Sequence, residues 1–127
     1  MIIKLDHVAL TVNDLDRSVS FYERHLGFRE YARTKVPHNP RIQAIAYLER
    51  GSDVLELVHV PGSQLGEGFH FAFRVEGFDT EVRRLVDAGV PVVTPPHPTP
   101  ARTAAEQGWR RVVFAGPDGE QIELRGV

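Results

Sequence analysis

Residues 5–28 read LDHVALTVNDLDRSVSFYERHLGF, a strand pattern followed directly by a helix pattern. Apolar and polar side chains alternate over Leu5–Val12, which predicts a half-buried strand. Over Leu15–Leu26 the apolar residues recur three and four positions apart, which predicts an amphipathic helix. Asp14 is placed to cap the start of this helix, and Gly27 to end it in a left-handed conformation. The fold is therefore expected to begin with a strand and a helix.

The rest of the chain completes this unit and then repeats its order. Three strand patterns finish the first half, with the turn-like sequence ERGSD (49–53) between the last two. In the second half a Pro-rich loop, Pro95–Gly108, is long enough to be functional. The predicted elements are strands at Phe28–Lys35, Arg41–Glu49 and Asp53–Val60, then a strand at 68–75, a helix at Asp79–Ala88, and strands at Val90–Thr94, Trp109–Ala115 and Gln121–Arg125.

The two halves also match residue by residue. A shift of 63 positions places His7 on His70, and a shift of 67 places VLEL (54–57) on QIEL (121–124), so that Glu56 meets Glu123. Chance similarity between two α+β halves is the alternative, but the polar residues align as well as the apolar ones. The sequence therefore predicts an α+β fold in which two βαβββ modules form a curved mixed sheet with the helices outside. We expect a single domain over 1–127, with module one at 1–62 and module two at 67–127.

The composition limits the classes of function. Hydrophobic residues make up 42% of the chain and charged residues 25%, and the formal net charge is −2. Without a basic stripe, nucleic acid is not expected as a partner. No apolar stretch is long enough to cross a membrane, so a membrane partner is not expected either. The absence of cysteine excludes thiolate metal sites and fits a cytoplasmic protein.

Four polar residues occupy unusual places in these strands. Alternation places His7, Glu56, His70 and Glu123 on the side of each strand opposite its apolar residues. A carboxylate in the middle of an apolar strand is costly unless it is paired. Two imidazoles and two carboxylates would suit one divalent ion such as Ni, Zn, Co, Mn or Fe. The alternative is that each is an ordinary structural or exposed residue, which requires the same coincidence in both halves.

The chain resembles the vicinal oxygen chelate superfamily, which contains the glyoxalase, bleomycin-resistance and extradiol-dioxygenase proteins. The resemblance lies in residues 5–28, in GFHFAFRV (68–75) and in GPDGEQIEL (116–124). It implies paired βαβββ modules and a metal held at the positions of His7, Glu56, His70 and Glu123. This ligand set is similar to that of bacterial glyoxalase, lactoylglutathione lyase. The implied activity is a lyase or isomerase acting on vicinal oxygens through an enediolate-type intermediate, with Glu123 as proton shuttle and Glu56 as second carboxylate.

The resemblance leaves the substrate open. Thr11, and His59 or Val60, stand where glyoxalases of this size carry the Arg and Asn that hold glutathione. A methylmalonyl-CoA-epimerase-like enzyme and a non-catalytic, drug- or metabolite-binding resistance protein are the alternatives. In this family the modules often pair between two chains, so we expect a homodimer, with the site at its interface if the modules pair in that way. Pairing of the two modules within one chain is the alternative. The candidates for substrate contacts are His97, Arg102, Tyr47 and Trp109.

Overall fold

The computed structural model describes residue 1, residues 3–65 and residues 69–127. The chain divides into two compact units, Met1–Leu65 and Gly66–Val127. Each unit contains one four-stranded mixed sheet and one α-helix in the order strand, helix, strand, strand, strand. This architecture confirms the α+β class and the paired βαβββ modules. Gly68, at the start of the predicted strand 68–75, lies outside the described residues.

In the first unit the helix is held at both ends by the predicted caps. The side chain of Asp14 accepts a hydrogen bond from the backbone N–H of Arg17 (3.0 Å), and Gly27 has φ 72°. The elements are β1 (Val8–Val12), α1 (Leu15–Leu26), β2 (Arg29–Thr34), β3 (Ala44–Arg50) and β4 (Asp53–His59). The sheet order is β1-β4-β3-β2, with β1 parallel to β4 and the other pairs antiparallel.

The second unit repeats this arrangement. Its sheet order is β5-β8-β7-β6, again with the first and last strands parallel and adjacent. A short 3₁₀ turn, Ala104–Glu106, lies in the chain between the third and fourth elements of this unit, the strands Val92–Pro98 and Arg110–Ala115. The elements are β5 (His70–Val75), α2 (Phe78–Asp87), β6 (Val92–Pro98), β7 (Arg110–Ala115) and β8 (Gln121–Gly126).

The strand register supports the duplication read from the sequence. In the first unit Ala9 of β1 lies opposite Glu56 of β4. In the second unit Ala72 of β5 lies opposite Glu123 of β8. These pairs are related by the same shifts of 63 and 67 positions that align the sequences. The two glutamates therefore occupy equivalent places in equivalent sheets.

The Pro-rich segment differs from the prediction. The predicted strand ended at Thr94, whereas β6 continues across Pro95 and Pro96 to Pro98. Proline lacks a backbone N–H and is tolerated in a sheet at an edge or a bulge. Strand β6 is an edge strand, and its register with β7 shifts twice between Val92 and His97. The prolines therefore fit a strand that a propensity argument assigns to a loop.

Substitutions on the two faces of the first sheet can test which face carries Glu56. Leu57 is fully buried on the opposite face, and helix α1 packs against β4. Leu57→Ala is expected to lower the free energy of unfolding by about 2–5 kcal/mol, because it leaves a cavity in the core. Val58 is half-buried on the Glu56 face, so Val58→Ala is the matched control and should cost about 1 kcal/mol. Urea unfolding measures both; equal losses would contradict this assignment of faces.

Candidate functional site

An imidazole lies beside the carboxylate of Glu56. The Nε2 atom of His7 is 2.9 Å from Oε2 of Glu56. The Glu56 side chain is 15% exposed and that of His7 is 37% exposed, so His7 is the more solvent-exposed member of the pair. The partner that a mid-strand carboxylate requires is therefore the histidine that precedes β1.

Asp6 holds the other ring nitrogen of His7. Its Oδ2 atom is 2.9 Å from Nδ1, and this hydrogen bond, together with the charge of Glu56, raises the pKa of His7 above its usual value. Strict alternation would place Asp6 on the opposite face, but β1 begins only at Val8, so the strand rule does not apply there. A carboxylate on one ring nitrogen is the common arrangement for a histidine whose other nitrogen binds a metal.

In the second unit the equivalent carboxylate has arginine partners. Glu123 is buried, and its Oε2 accepts a hydrogen bond from Nη2 of Arg111 at 3.1 Å. The Nε atom of Arg125 is 3.7 Å from the other carboxylate oxygen. His70 lies on the same face, two residues before Ala72, which is the residue opposite Glu123. The environment of Glu123 is thus cationic, unlike that of Glu56.

The four candidates for substrate contacts lie on the faces that carry the glutamates or close to them. Tyr47 is directly opposite Glu56 in the β3–β4 register. His97 is opposite Arg111, and its Nε2 is 3.3 Å from Nη1 of that residue. Trp109 is buried, with the guanidinium of Arg74 over its ring at 5.0 Å. The fourth candidate, Arg102, is engaged by Glu106.

An ion pair between Arg102 and Glu106 lies near this site. Both the backbone N–H of Arg102 (2.9 Å) and its Nε (3.0 Å) donate to the buried carboxylate of Glu106. These two hydrogen bonds lower the pKa of Glu106 to about 2. Arg102 therefore has a structural partner and anchors the segment that precedes β7.

This pair predicts a pH-dependent contribution to stability. Because folding lowers the pKa of Glu106 from 4.5 to about 2, its stabilising effect is complete above pH 4.5 and is lost as the pH falls through 2. Glu106→Gln is expected to unfold at a lower temperature than the wild type at pH 7, and the difference should shrink towards pH 2. Glu81→Gln, which removes an exposed helical pair with Arg84, is the control with little change at any pH. A difference for Glu106→Gln that does not vary with pH would contradict the pairing.

The metal-ligating potential is divided between the two units. The first unit brings His7 and Glu56 together, and the second places His70 and Glu123 on one sheet face. Within the part of the chain that the structure describes, no group of three or more such side chains forms a complete metal site. Imidazole nitrogen and carboxylate oxygen are nevertheless metal ligands that suit Zn, Ni, Co, Mn or Fe. The ring of His7 is already oriented by its hydrogen bond to Asp6.

A groove lies further along the Glu56 face of the first unit. Thr11 and Val58 are opposite each other in the β1–β4 register, two residues beyond Ala9 and Glu56. They form part of a groove of about 590 Å³. Its lining residues are Thr11, Asn39, Arg41, Ile42, Val58, Val60, Gly62, Ser63 and Gln64.

Sequence reasoning missed the residues that hold the predicted ligands. Arg110 and Arg111 alternate in β7, and only the structure decides that Arg110 points to helix α2, where it pairs with Asp79 at 2.8 Å. Arg125 could have been found, since it lies two residues after Glu123 and therefore shares its face. Asp6 could not, because its contact depends on where β1 begins.

Comparisons with known proteins agree with this fold. A family model described as Glyoxalase/Bleomycin resistance protein/Dioxygenase superfamily matches residues 4–124. A probable lactoylglutathione lyase from Synechocystis sp. is 32% identical over 125 residues, covering 93% of this chain and 91% of that protein. TnmS3, an antibiotic binding protein from Streptomyces sp. CB03234, is 25% identical with a TM-score of 0.74, covering 98% of this chain and 96% of its own.

A fosfomycin resistance protein has the same fold at lower identity. A mutant of FosX from Listeria monocytogenes, complexed with Mn(II) and 1S,2S-dihydroxypropylphosphonic acid, is 21% identical with a TM-score of 0.74, covering 98% of this chain and 92% of its own.

Among the described residues, no helix is long and apolar enough to cross a membrane.

Proposed function

Because the chain belongs to the Glyoxalase/Bleomycin resistance protein/Dioxygenase superfamily, we propose that it is a metal-dependent, glyoxalase-like lyase or isomerase. Its substrate is a small molecule with vicinal oxygens, and the reaction passes through an enediolate-type intermediate. The observation that carries the proposal is the equivalence of the two units: Glu56 lies opposite Ala9 and Glu123 lies opposite Ala72, and a His stands two residues before each of these alanines. The similarity to a probable lactoylglutathione lyase supports the same class.

In this proposal His7, Glu56, His70 and Glu123 hold one divalent ion, which is Ni, Zn, Co, Mn or Fe. When bound, the ion supplies Lewis acidity that lowers the cost of negative charge on neighbouring substrate oxygens. Asp6 orients His7 by its hydrogen bond to Nδ1. The FosX structure with Mn(II) is a precedent for a divalent ion in this fold.

The proton transfer is assigned to the carboxylates. Glu123 removes a proton from the carbon next to a carbonyl and returns it to the neighbouring carbon, while Glu56 is the second carboxylate of the site. Arg111 donates a hydrogen bond to Oε2 of Glu123, and Nε of Arg125 lies 3.7 Å from Oε1, so both oxygens of the carboxylate face an arginine. This arrangement keeps the base in one orientation.

The substrate is bound in part by the groove beside Glu56. Thr11 and Val60 line this groove and carry neither a charged nor an amide side chain, while His59, the alternative to Val60, lies with Nε2 3.0 Å from the carbonyl oxygen of Asn13. Arg41 is the one cation in the lining set, and it comes from the loop before β3. We therefore propose a substrate other than glutathione itself, with a methylmalonyl-CoA-type acyl substrate as the alternative for the same proton transfer.

A second candidate function is a binding protein without catalysis. It is favoured by the similarity to TnmS3, an antibiotic binding protein, and by the arginines that already neutralise Glu123.

For the enzyme, we further propose a homodimer with the metal site between its subunits, and a cytoplasmic location.

The experiment that tests the enzyme follows the proton. The protein is loaded separately with Ni, Zn, Co, Mn or Fe and incubated in D₂O with the methylglyoxal–glutathione hemithioacetal, with methylmalonyl-CoA and with small hydroxyketones. Deuterium incorporated next to the carbonyl, seen by NMR and lost after chelation, is the expected result. Tight binding of small molecules with no exchange for any metal would favour the binding protein instead.

A further inference from the structure

A row of basic side chains crosses the second sheet on the face that carries Glu123. His97 of β6 lies opposite Arg111 of β7, and Arg111 lies opposite Arg125 of β8. Arg125 in turn lies opposite Arg74 of β5. Directly opposed residues on neighbouring strands share a face, and like charges in such positions are destabilising. A row of three arginines therefore requires negative charge close to it.

The described residues supply part of that charge. Glu123 accepts the hydrogen bond from Arg111 and lies 3.7 Å from Nε of Arg125. Glu106 is 3.8 Å from Nη2 of Arg125, but its oxygens already accept hydrogen bonds from three donors of Arg102, the backbone N–H, Nε and Nη2. Among the described residues, this cluster therefore contains two carboxylates and four guanidinium groups, which leaves an excess of positive charge. The carboxylates are Glu106 and Glu123, and the guanidinium groups are those of Arg74, Arg102, Arg111 and Arg125.

Two arginines of the row keep hydrogen-bonding capacity for a ligand. The Nε–H of Arg125 is buried and has no hydrogen-bond partner in the described parts of the chain. A buried, unpaired donor on a charged group is costly, so its position needs an acceptor. Arg111 is 31% exposed and uses only Nη1 and Nη2 in its contacts, so its guanidinium remains open to solvent.

His97 positions Arg111 in this arrangement. Its Nδ1 lies 2.8 Å from the carbonyl oxygen of Pro95, which can only accept, so the proton of the neutral ring is on Nδ1. Nε2 is then an acceptor for Nη1 of Arg111. The guanidinium group of Arg111 is therefore held between His97 and Glu123.

We propose that this row, Arg111 and Arg125 with Arg74 beside them, is a binding site for an oxyanion of a small ligand, a carboxylate or a phosphonate. Planar guanidinium groups bind such oxyanions through paired, charge-assisted hydrogen bonds. The identity of the ligand as the substrate rests on the proposed function, since the row adjoins Glu123. The substrate then combines vicinal oxygens with an anionic group.

The site is tested on metal-free protein, prepared with a chelator and dialysed. Binding of methylphosphonate and of malonate is measured by isothermal titration calorimetry at constant ionic strength. We expect wild-type protein to bind at least one anion, and the preferred anion to identify the class. Arg111→Met should weaken binding about tenfold or more, because a hydrogen bond to a charged group is lost.

Arg110→Met is the matched control, since Arg110 is the neighbouring residue on the opposite face of β7 and should leave anion affinity unchanged. If Arg111→Met does not fold, Arg111→Gln provides the same comparison. Absence of binding above matched chloride, or equal affinity in the Arg111 variant, would overturn the proposal. Because this measurement needs no metal and no turnover, its result is independent of the proposed enzyme activity.

Discussion

Glu123→Gln is expected to lower turnover by about 10²–10⁴-fold, the usual contribution of a positioned acid–base group. Glutamine has the same shape and can still accept the hydrogen bond from Arg111, but it cannot take up a proton from carbon. The rate is measured by deuterium exchange on the best substrate of the screen. Far-UV circular dichroism should show an unchanged fold.

The control for this substitution is Glu49→Gln. Glu49 is a strand carboxylate of the first unit that pairs with Arg29, and its loss should leave turnover unchanged. Glu56→Gln adds a comparison between the two carboxylates. Full activity of the Glu123 variant, with loss of activity in the Glu56 variant, would show that Glu56 is the base and that our assignment of Glu123 is wrong.

His7→Ala and His70→Ala are expected to weaken metal binding to a similar extent, by about 100-fold or more each. Removal of a residue that merely supports a ligand already costs about 10–100-fold in metal affinity, so removal of a ligand should cost at least the upper value. The equality follows from the shift of 63 positions that places His7 on His70, two residues before Ala9 and Ala72 respectively. Competition with a metal-sensitive dye measures both affinities.

His38→Ala is the control for the two histidine variants, because His38 is exposed in the loop before β3. Its metal affinity should equal that of the wild type. If only one of the two predicted ligands matters, or if the His38 variant is equally impaired, the metal does not bind to a set formed by both units.

The fold could be predicted because its signals are local or repeated. Alternation fixed the faces of β4 and β8, and the caps Asp14 and Gly27 fixed the ends of α1. The shifts of 63 and 67 positions then supplied long-range information, since equivalent residues of a duplicated unit must occupy equivalent places. The equivalence of the Ala9–Glu56 pair and the Ala72–Glu123 pair follows from that.

The rest depended on contacts that no local pattern records. The hydrogen bond from Arg111 to Glu123 requires the β7–β8 register, in which Val113 lies opposite Glu123. The strand across Pro95 and Pro96 depends on β6 being at the sheet edge. The contact of Asp6 with His7 depends on β1 starting at Val8, three residues later than the predicted start at Leu5. Each is decided by tertiary placement, which propensity does not contain.

The most direct test of the central claim is elemental analysis of the protein purified without added metal or chelator. The account predicts about one divalent ion, Ni, Zn, Co, Mn or Fe, for each set of His7, Glu56, His70 and Glu123. It also predicts that the ion is lost in the His7 and His70 variants. Protein that contains no metal, and that takes up none of these ions after chelation and dialysis, would contradict it.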